Sequence, residues 1–218
     1  EVFIQKIGES KIKAYFPVDI QPIELSYVLT NHKENNYATH PVLLDFEKLS
    51  TRFPLKVLPK EKQIYAFLGG TYGNFPSDKM NSYLKAVYED NSAILIISMP
   101  LRVSEKEILR SYAGINFEEI AFAPLKHVGF KKSDFEVNKK YPRLIVQFNM
   151  EDNHVISSFI LKKNVKLLER EFKAGTIFKM TTSWKPTLKE FKSALEKDFK
   201  IKKIFNNKKF AIAVCQKN

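Results

Sequence analysis

The chain of 218 residues is poor in several things, and each scarcity excludes a class of function. It has one cysteine, Cys215, which rules out an intrachain disulfide and a cysteine-built metal site. That usage points to a reducing setting, and the expected location is cytoplasmic. No run approaches the roughly 20 apolar residues of a membrane span. The longest, Ala93-Ile94-Leu95-Ile96-Ile97, stops at Ser98 and reads as a buried strand. The opening EVFIQKIGESKIK lacks the pattern of a signal peptide. His32, His40, His127 and His154 show no ligand spacing, so no metal is expected. No serine sits in a nucleophile elbow, and no phosphate-binding loop ends in the required lysine and hydroxyl. Cys215, inside KKFAIAVCQ, reads as a buried, inert strand residue.

Acidic residues are scarce in the second half. Residues 1–100 hold eleven Lys/Arg and eleven Asp/Glu, whereas residues 101–218 hold 25 against 13 and carry the whole net charge of +12. A basic half could hold nucleic acid. Its lysines are scattered along strands and a helix without interleaved stacking aromatics, so a solvated basic face is the preferred reading. With 44% hydrophobic residues, 18 of them Phe, a packed aromatic core is expected.

The first half alternates strand and helix signals. Strands are expected over 13–19, 41–45, 63–68 and 93–99, and helices over 22–30 and 77–89, the latter with Ser77 as its N-cap. This rhythm means crossover connections and a parallel sheet. After a helix near 104–112 and a long aromatic-containing segment the pattern changes. Strands over 143–150, 154–162, 165–172 and 176–184 predict an antiparallel meander. A helix over 187–197 and a closing hairpin, 200–205 with 209–216, finish the chain.

Glycine is the informative scarcity. Of seven glycines, Gly69, Gly70 and Gly73 fall within FLGGTYGNF, residues 67–75, at the end of an expected strand. Two other strands end in acids, Asp19 and Asp45. Ligands of open parallel sheets bind outside the carboxyl ends of the strands. An acid there can accept from both hydroxyls of a ribose. Asp45 followed by Phe46 can meet an adenine amino group and ring, and glycine admits close approach to a ligand. Each acid could equally cap the helix that follows it. Three such features on successive strands point to a nucleoside cofactor.

YFPVDI (15–20), LLDFEKL (43–49), FLGGTYGNF (67–75) and MTTSWK (180–185) resemble the histidine-specific S-adenosylmethionine-dependent methyltransferase family, whose members include enzymes that trimethylate histidine's α-amino group. The resemblance implies an α/β fold: a Rossmann-like class I methyltransferase sheet carrying an α+β substrate-domain insertion. It implies a methyltransferase core over 1–100, an inserted substrate-binding subdomain over 101–185, and a helix and hairpin over 186–218 that complete the core. By position, Asp19 would hold the ribose, Asp45 and Phe46 the adenine, and Gly69, Gly70 and Thr71 the methionine end of S-adenosylmethionine. Asn74 and Tyr112 would bind and orient the acceptor amine as the catalytic pair, with Thr181 and Ser183 reading its side chain.

Two departures shape the expectation. The family's glycine-rich cofactor loop, on the strand before YFPVDI, has no counterpart here. The sheet is therefore expected to lack its first strand, as the C-terminal part of a longer chain or as a relative that has lost the loop. Gly8 is expected only to end a helix. Secondly, Thr181 stands where histidine-methylating members carry a glutamate that binds the imidazole, and threonine brings no negative charge. The resemblance thus implies N-methylation of an amino acid or small amine other than histidine, with S-adenosylhomocysteine as product and no metal. A non-catalytic relative, a truncated binding subunit and a nucleic-acid-binding module are the alternatives. A small molecule, not a membrane, is the expected partner.

Overall fold

The structure, a computed structural model, describes residues 2–32, 37–45, 62–87, 93–112, 114–137 and 143–218. It divides into two compact units, Glu1–Lys60 and Glu61–Asn218.

In the first unit, helix α1 (Val2–Ile7) ends at Gly8, whose φ of 93° suits glycine as a helix terminator. Two stretches then pair in parallel: β1 (Ala14–Tyr15) and β2 (Val18–Asp19) against β3 (Ala38–Thr39) and β4 (Val42–Leu43). Amide donors from Ala38, His40, Val42 and Leu44 run to carbonyls of Lys13, Tyr15, Pro17 and Asp19, so the ladder is continuous. Pro17 and Pro41 have no N–H to give, so the strand expected over 13–19 appears as two short pieces, and the one expected over 41–45 is β4, with β3 a further piece before Pro41. Helix α2 (Pro22–Asn31) starts on proline, whose φ suits the first helical position.

The second unit carries a mixed sheet. β5 (Ile64–Phe67) runs parallel to β6 (Ile94–Pro100), joined through helix α3 (Ser77–Val87). The C-terminal strands β12 (Phe199–Asn206) and β13 (Phe210–Lys217) form a hairpin that pairs antiparallel with β6, giving the order β12-β13-β6-β5. Every second residue of β6 is buried, with Leu95, Ile97 and Met99 pointing into the core. Cys215 lies at 0% exposure in β13, and burial pushes its thiol up to about 12. Helix α6 (Leu188–Glu196) packs Phe191 and Leu195 inward; Thr187 caps it by accepting from the Glu190 N–H while Glu190 accepts from the Thr187 N–H. Ser77 is not the cap of α3: the Pro76 carbonyl accepts the first helical bond, from Met80, and Ser77 is the first helical residue.

Helix α4 (Glu105–Ser111) is capped by Ser104, and helix α5 (Ile115–His127) occupies the aromatic segment for which no element was expected. α5 packs Ala121, Phe122 and Leu125 on an aromatic core with Phe130, Phe135 and Phe159. A second antiparallel sheet has the order β11-β8-β7, from β7 (Ile145–Asn149), β8 (His154–Ile160) and β11 (Ile177–Trp184). The single strand expected over 165–172 is instead a separate hairpin, β9 (Val165–Leu167) and β10 (Arg170–Phe172), turning at Leu168 and Glu169 with φ of 49° and 61°. Neither residue is a usual left-handed turn former, so the turn carries no signal in the sequence. Among the described residues no helix is long and apolar enough to cross a membrane.

Candidate functional site

FLGGTYGNF folds as a turn after β5 and a short 3₁₀ helix over Thr71–Asn74. Tyr72 anchors it. The ring is fully buried edge-on to Phe191, and its hydroxyl donates to Asn81 Oδ1 at 2.8 Å. The Asn81 amide donates in turn to the Ala194 carbonyl and to Asp198. Burial, then the charge of Asp198, raises the Tyr72 phenol, which therefore stays a neutral donor.

The three glycines do different things. A Cβ on Gly70 would lie 2.7 Å from Pro100, and one on Gly73 would meet Met99 Cε at 2.5 Å and the Trp184 carbonyl at 2.8 Å. These two let the loop lie against β6 and β11, so protein, not ligand, fills the space they leave. Only Gly69 combines a φ of +90° with nothing within 4 Å of its would-be Cβ, and its N–H donates to Ser98 Oγ at 2.9 Å.

Gly69, Gly70, Thr71 and Asn74 form one side of a cavity of about 1010 Å³ in the second unit. Tyr112, Thr181 and Ser183 line the same cavity. Tyr112 caps the C-terminus of α4 and sets its ring edge-on to Phe117, 5.0 Å between centroids. On β11 the register with β8 slips between Lys179 and Thr181. That bulge breaks the strand's alternation, and four consecutive residues, Met180 to Ser183, reach the cavity. Thr181 Oγ1 and the buried Ser157 Oγ share a hydrogen bond of 2.6 Å.

The sequence reading overlooked Lys185. It is 8% exposed, lines the cavity, donates from Nζ to Ser183 Oγ at 2.9 Å, and lies 5.4 Å from the Tyr112 ring centroid. Its backbone N–H donates to the Asn153 carbonyl at 2.7 Å, and Asn153 is itself held by Arg102 and Glu190. Only its place in MTTSWK could have drawn attention to it. Glu107, at the rim, pairs with Lys209 at 3.1 Å, and hydrogen bonds from Lys209 and Ser104 hold its carboxyl below the usual range. A smaller recess of about 530 Å³ along the β9–β10 hairpin contains none of the expected site residues.

In the first unit, Asp19 ends β2 and Asp45 lies two residues beyond β4, on neighbouring parallel strands with Asp19 in register with Leu43. Asp19 Oδ1 accepts from the Gln21 N–H at 2.8 Å, the helix-entry role considered for it, and its carboxylate has a second oxygen for another donor. Phe46 lies outside the described residues. Among the described residues no cluster of His, Cys, Asp or Glu is placed to hold a metal ion.

The fold is that of class I S-adenosylmethionine-dependent methyltransferases. An S-adenosylmethionine-dependent methyltransferase from Clostridium acetobutylicum superposes with a TM-score of 0.51 at 12% identity, over 99% of this chain and 79% of its own. The PH0226 protein from Pyrococcus horikoshii gives 0.52 at 12% identity, over 99% and 78%. The chain belongs to the family described as "histidine-specific methyltransferase, SAM-dependent", whose model matches residues 1–217. A search of curated proteins by sequence matched none.

Proposed function

We propose that the chain acts as an S-adenosylmethionine-dependent N-methyltransferase on an amino acid or small amine other than histidine. The observation that carries this reading is the shared cavity, in which the end of β5 with Asn74 meets Tyr112, Thr181 and Ser183. The family's cofactor is S-adenosylmethionine, which supplies a methyl group on a positively charged sulfur and leaves as neutral S-adenosylhomocysteine. Each unit taken by itself has residues that suit part of it: in the first, carboxylates at the ends of adjacent parallel strands suit a ribose and an adenine, and in the second, open space over Gly69 suits a close-lying chain.

Asp19 would hold the ribose, Asp45 the adenine with Phe46, and Gly69 to Thr71 the methionine end. Asn74 and Tyr112 orient the acceptor nitrogen. Holding it neutral and in line accounts for most of the rate effect in such a displacement, because positioning and exclusion of water are what the protein contributes. Residues 101–185 would form the substrate-reading part, as the cavity wall from Tyr112 and β11 suggests. Thr181, bonded to Ser157, has no charge with which to bind an imidazolium.

Calorimetric titration with S-adenosylhomocysteine tests the reading. Saturable binding, weakened at least about tenfold (~1.4 kcal/mol) by Asp19→Ala and by Asp45→Ala, is the expected result. Absence of binding would overturn it. Binding without methyl transfer to any amino acid or amine would make the chain a non-catalytic member of its family.

A further inference from the structure

Four charged side chains line the cavity: Glu107, Arg110, Lys185 and Lys209. Glu107 and Lys209 neutralise each other at the rim. Arg110 and Lys185 remain, and among the described residues neither has a carboxylate partner. Lys185 matters more, because it is buried to 8% exposure where an uncompensated ammonium is costly. An ammonium has three donors and no acceptor. One goes to Ser183 Oγ, and the Tyr112 ring face lies near enough for a cation–π contact. At least one donor is left for the cavity. Ser183, whose oxygen accepts from Lys185, has its own hydrogen to offer the same ligand.

The place of Lys185 in the cavity points to the ligand. The acceptor nitrogen has to be neutral to react, so an amino acid with an uncharged side chain brings a single negative charge, its α-carboxylate. In the reading above that carboxylate lies with the amine at the Asn74 and Tyr112 end, which leaves Lys185, bonded to Ser183 at the side-chain end, unmatched. An amino acid with a second carboxylate supplies the missing charge at Lys185, whereas Arg110 is exposed and compensated by water. The same two cations oppose protonation of a nearby amine and favour its reactive form.

We propose that the acceptor is an α-amino acid with an acidic side chain, whose side-chain carboxylate seats against Lys185 Nζ beside Ser183. This rests on the methyl-transfer reading above and names its substrate class. Lys185 is the specificity-determining residue, and the bonds from Asn153 to Arg102, Glu190 and the Lys185 N–H position it.

L-aspartate and L-glutamate each have an amide, L-asparagine and L-glutamine, of nearly the same shape without the charge. All four are titrated into the whole chain, with and without saturating S-adenosylhomocysteine. At least one acid should bind about tenfold or more tighter than its own amide, since a charge-assisted bond to a buried ammonium is lost in the amide. Lys185→Met should abolish that preference, and Lys185→Arg should retain it. Thermal melting of both variants checks folding, and the wild-type comparison of acid with amide stands without them. Amides binding as tightly as acids, no binding of either acid, or a preference surviving in Lys185→Met would overturn the proposal. An acid preference with no S-adenosylhomocysteine binding would retire the methyl-transfer reading and leave the acid site standing. The converse result would do the opposite.

Discussion

The glycines of FLGGTYGNF separate two requirements that look the same in a sequence. Gly73 has to be glycine because the Met99 side chain and the Trp184 carbonyl occupy the space a methyl would need, and a backbone carbonyl yields little. Gly69 has to be glycine because its backbone is left-handed, with empty space around it. Gly73→Ala should therefore cost about 1–3 kcal/mol as overpacking, and Gly69→Ala about 1–2 kcal/mol from backbone conformation alone. Urea denaturation of both variants checks these costs; a Gly73→Ala variant as stable as the wild type would contradict the packing account. Residue chemistry of this kind was only half legible. Clustering marked the loop, but whether a Cβ meets protein or a ligand depends on β6 and β11, which lie far away in sequence. Lys185 was illegible for a related reason. In a chain with 36 Lys and Arg, nothing local distinguishes a buried lysine from a solvated one.

At the scale of elements, α3 and α6 are clasped through Asp198. Its carboxyl is held below the ordinary range first by the hydrogen bond from Lys85, against burial, with help from Asn81. A depressed carboxyl contributes stability above its unfolded pKa of about 4 and loses it as pH falls through the folded value. Lys85→Met should lower stability at pH 7 by up to about 1 kcal/mol, as for a partly exposed pair. The gap to the wild type should close on acidification below about pH 4. Guanidinium melts across that range measure it, and a gap that persisted in acid would rule the clasp out. Elements themselves were legible where pattern and end signals agreed, as in α2 with its leading proline and α6 with its capping box. They were not where the signal is tertiary. α5 presents aromatics to a core assembled from α4 before it and from β7 and β8 after it, and the Leu168-Glu169 turn lacks the residues that usually announce a reversal.

For the whole molecule, the long-range fact is that the last twenty residues supply half of the second unit's larger sheet. β13 lies between β12 and β6, so β6 has a neighbour on each side only when the C-terminus is in place. Cutting the chain after Asp198 would expose the β6 edge and the apolar residues Leu95, Ile97 and Met99. That product should be insoluble or lack cooperative melting by circular dichroism; a soluble, cooperatively melting product would refute this dependence. The alternation of strand and helix in the first half and the closing hairpin announced the fold class. The order of strands did not follow from them, since pairing of residues 95–100 with 210–215 leaves no trace in either segment.

The placement of Cys215 gives the molecule a built-in reporter. The only sulfhydryl in the chain is sealed inside β13 with its ionisation suppressed by burial, so an alkylating reagent reaches the thiolate only when that sheet comes apart. The rate at which the native protein consumes such a reagent is a clock for the opening of its central strands, with no label to introduce and no second cysteine to confuse the count.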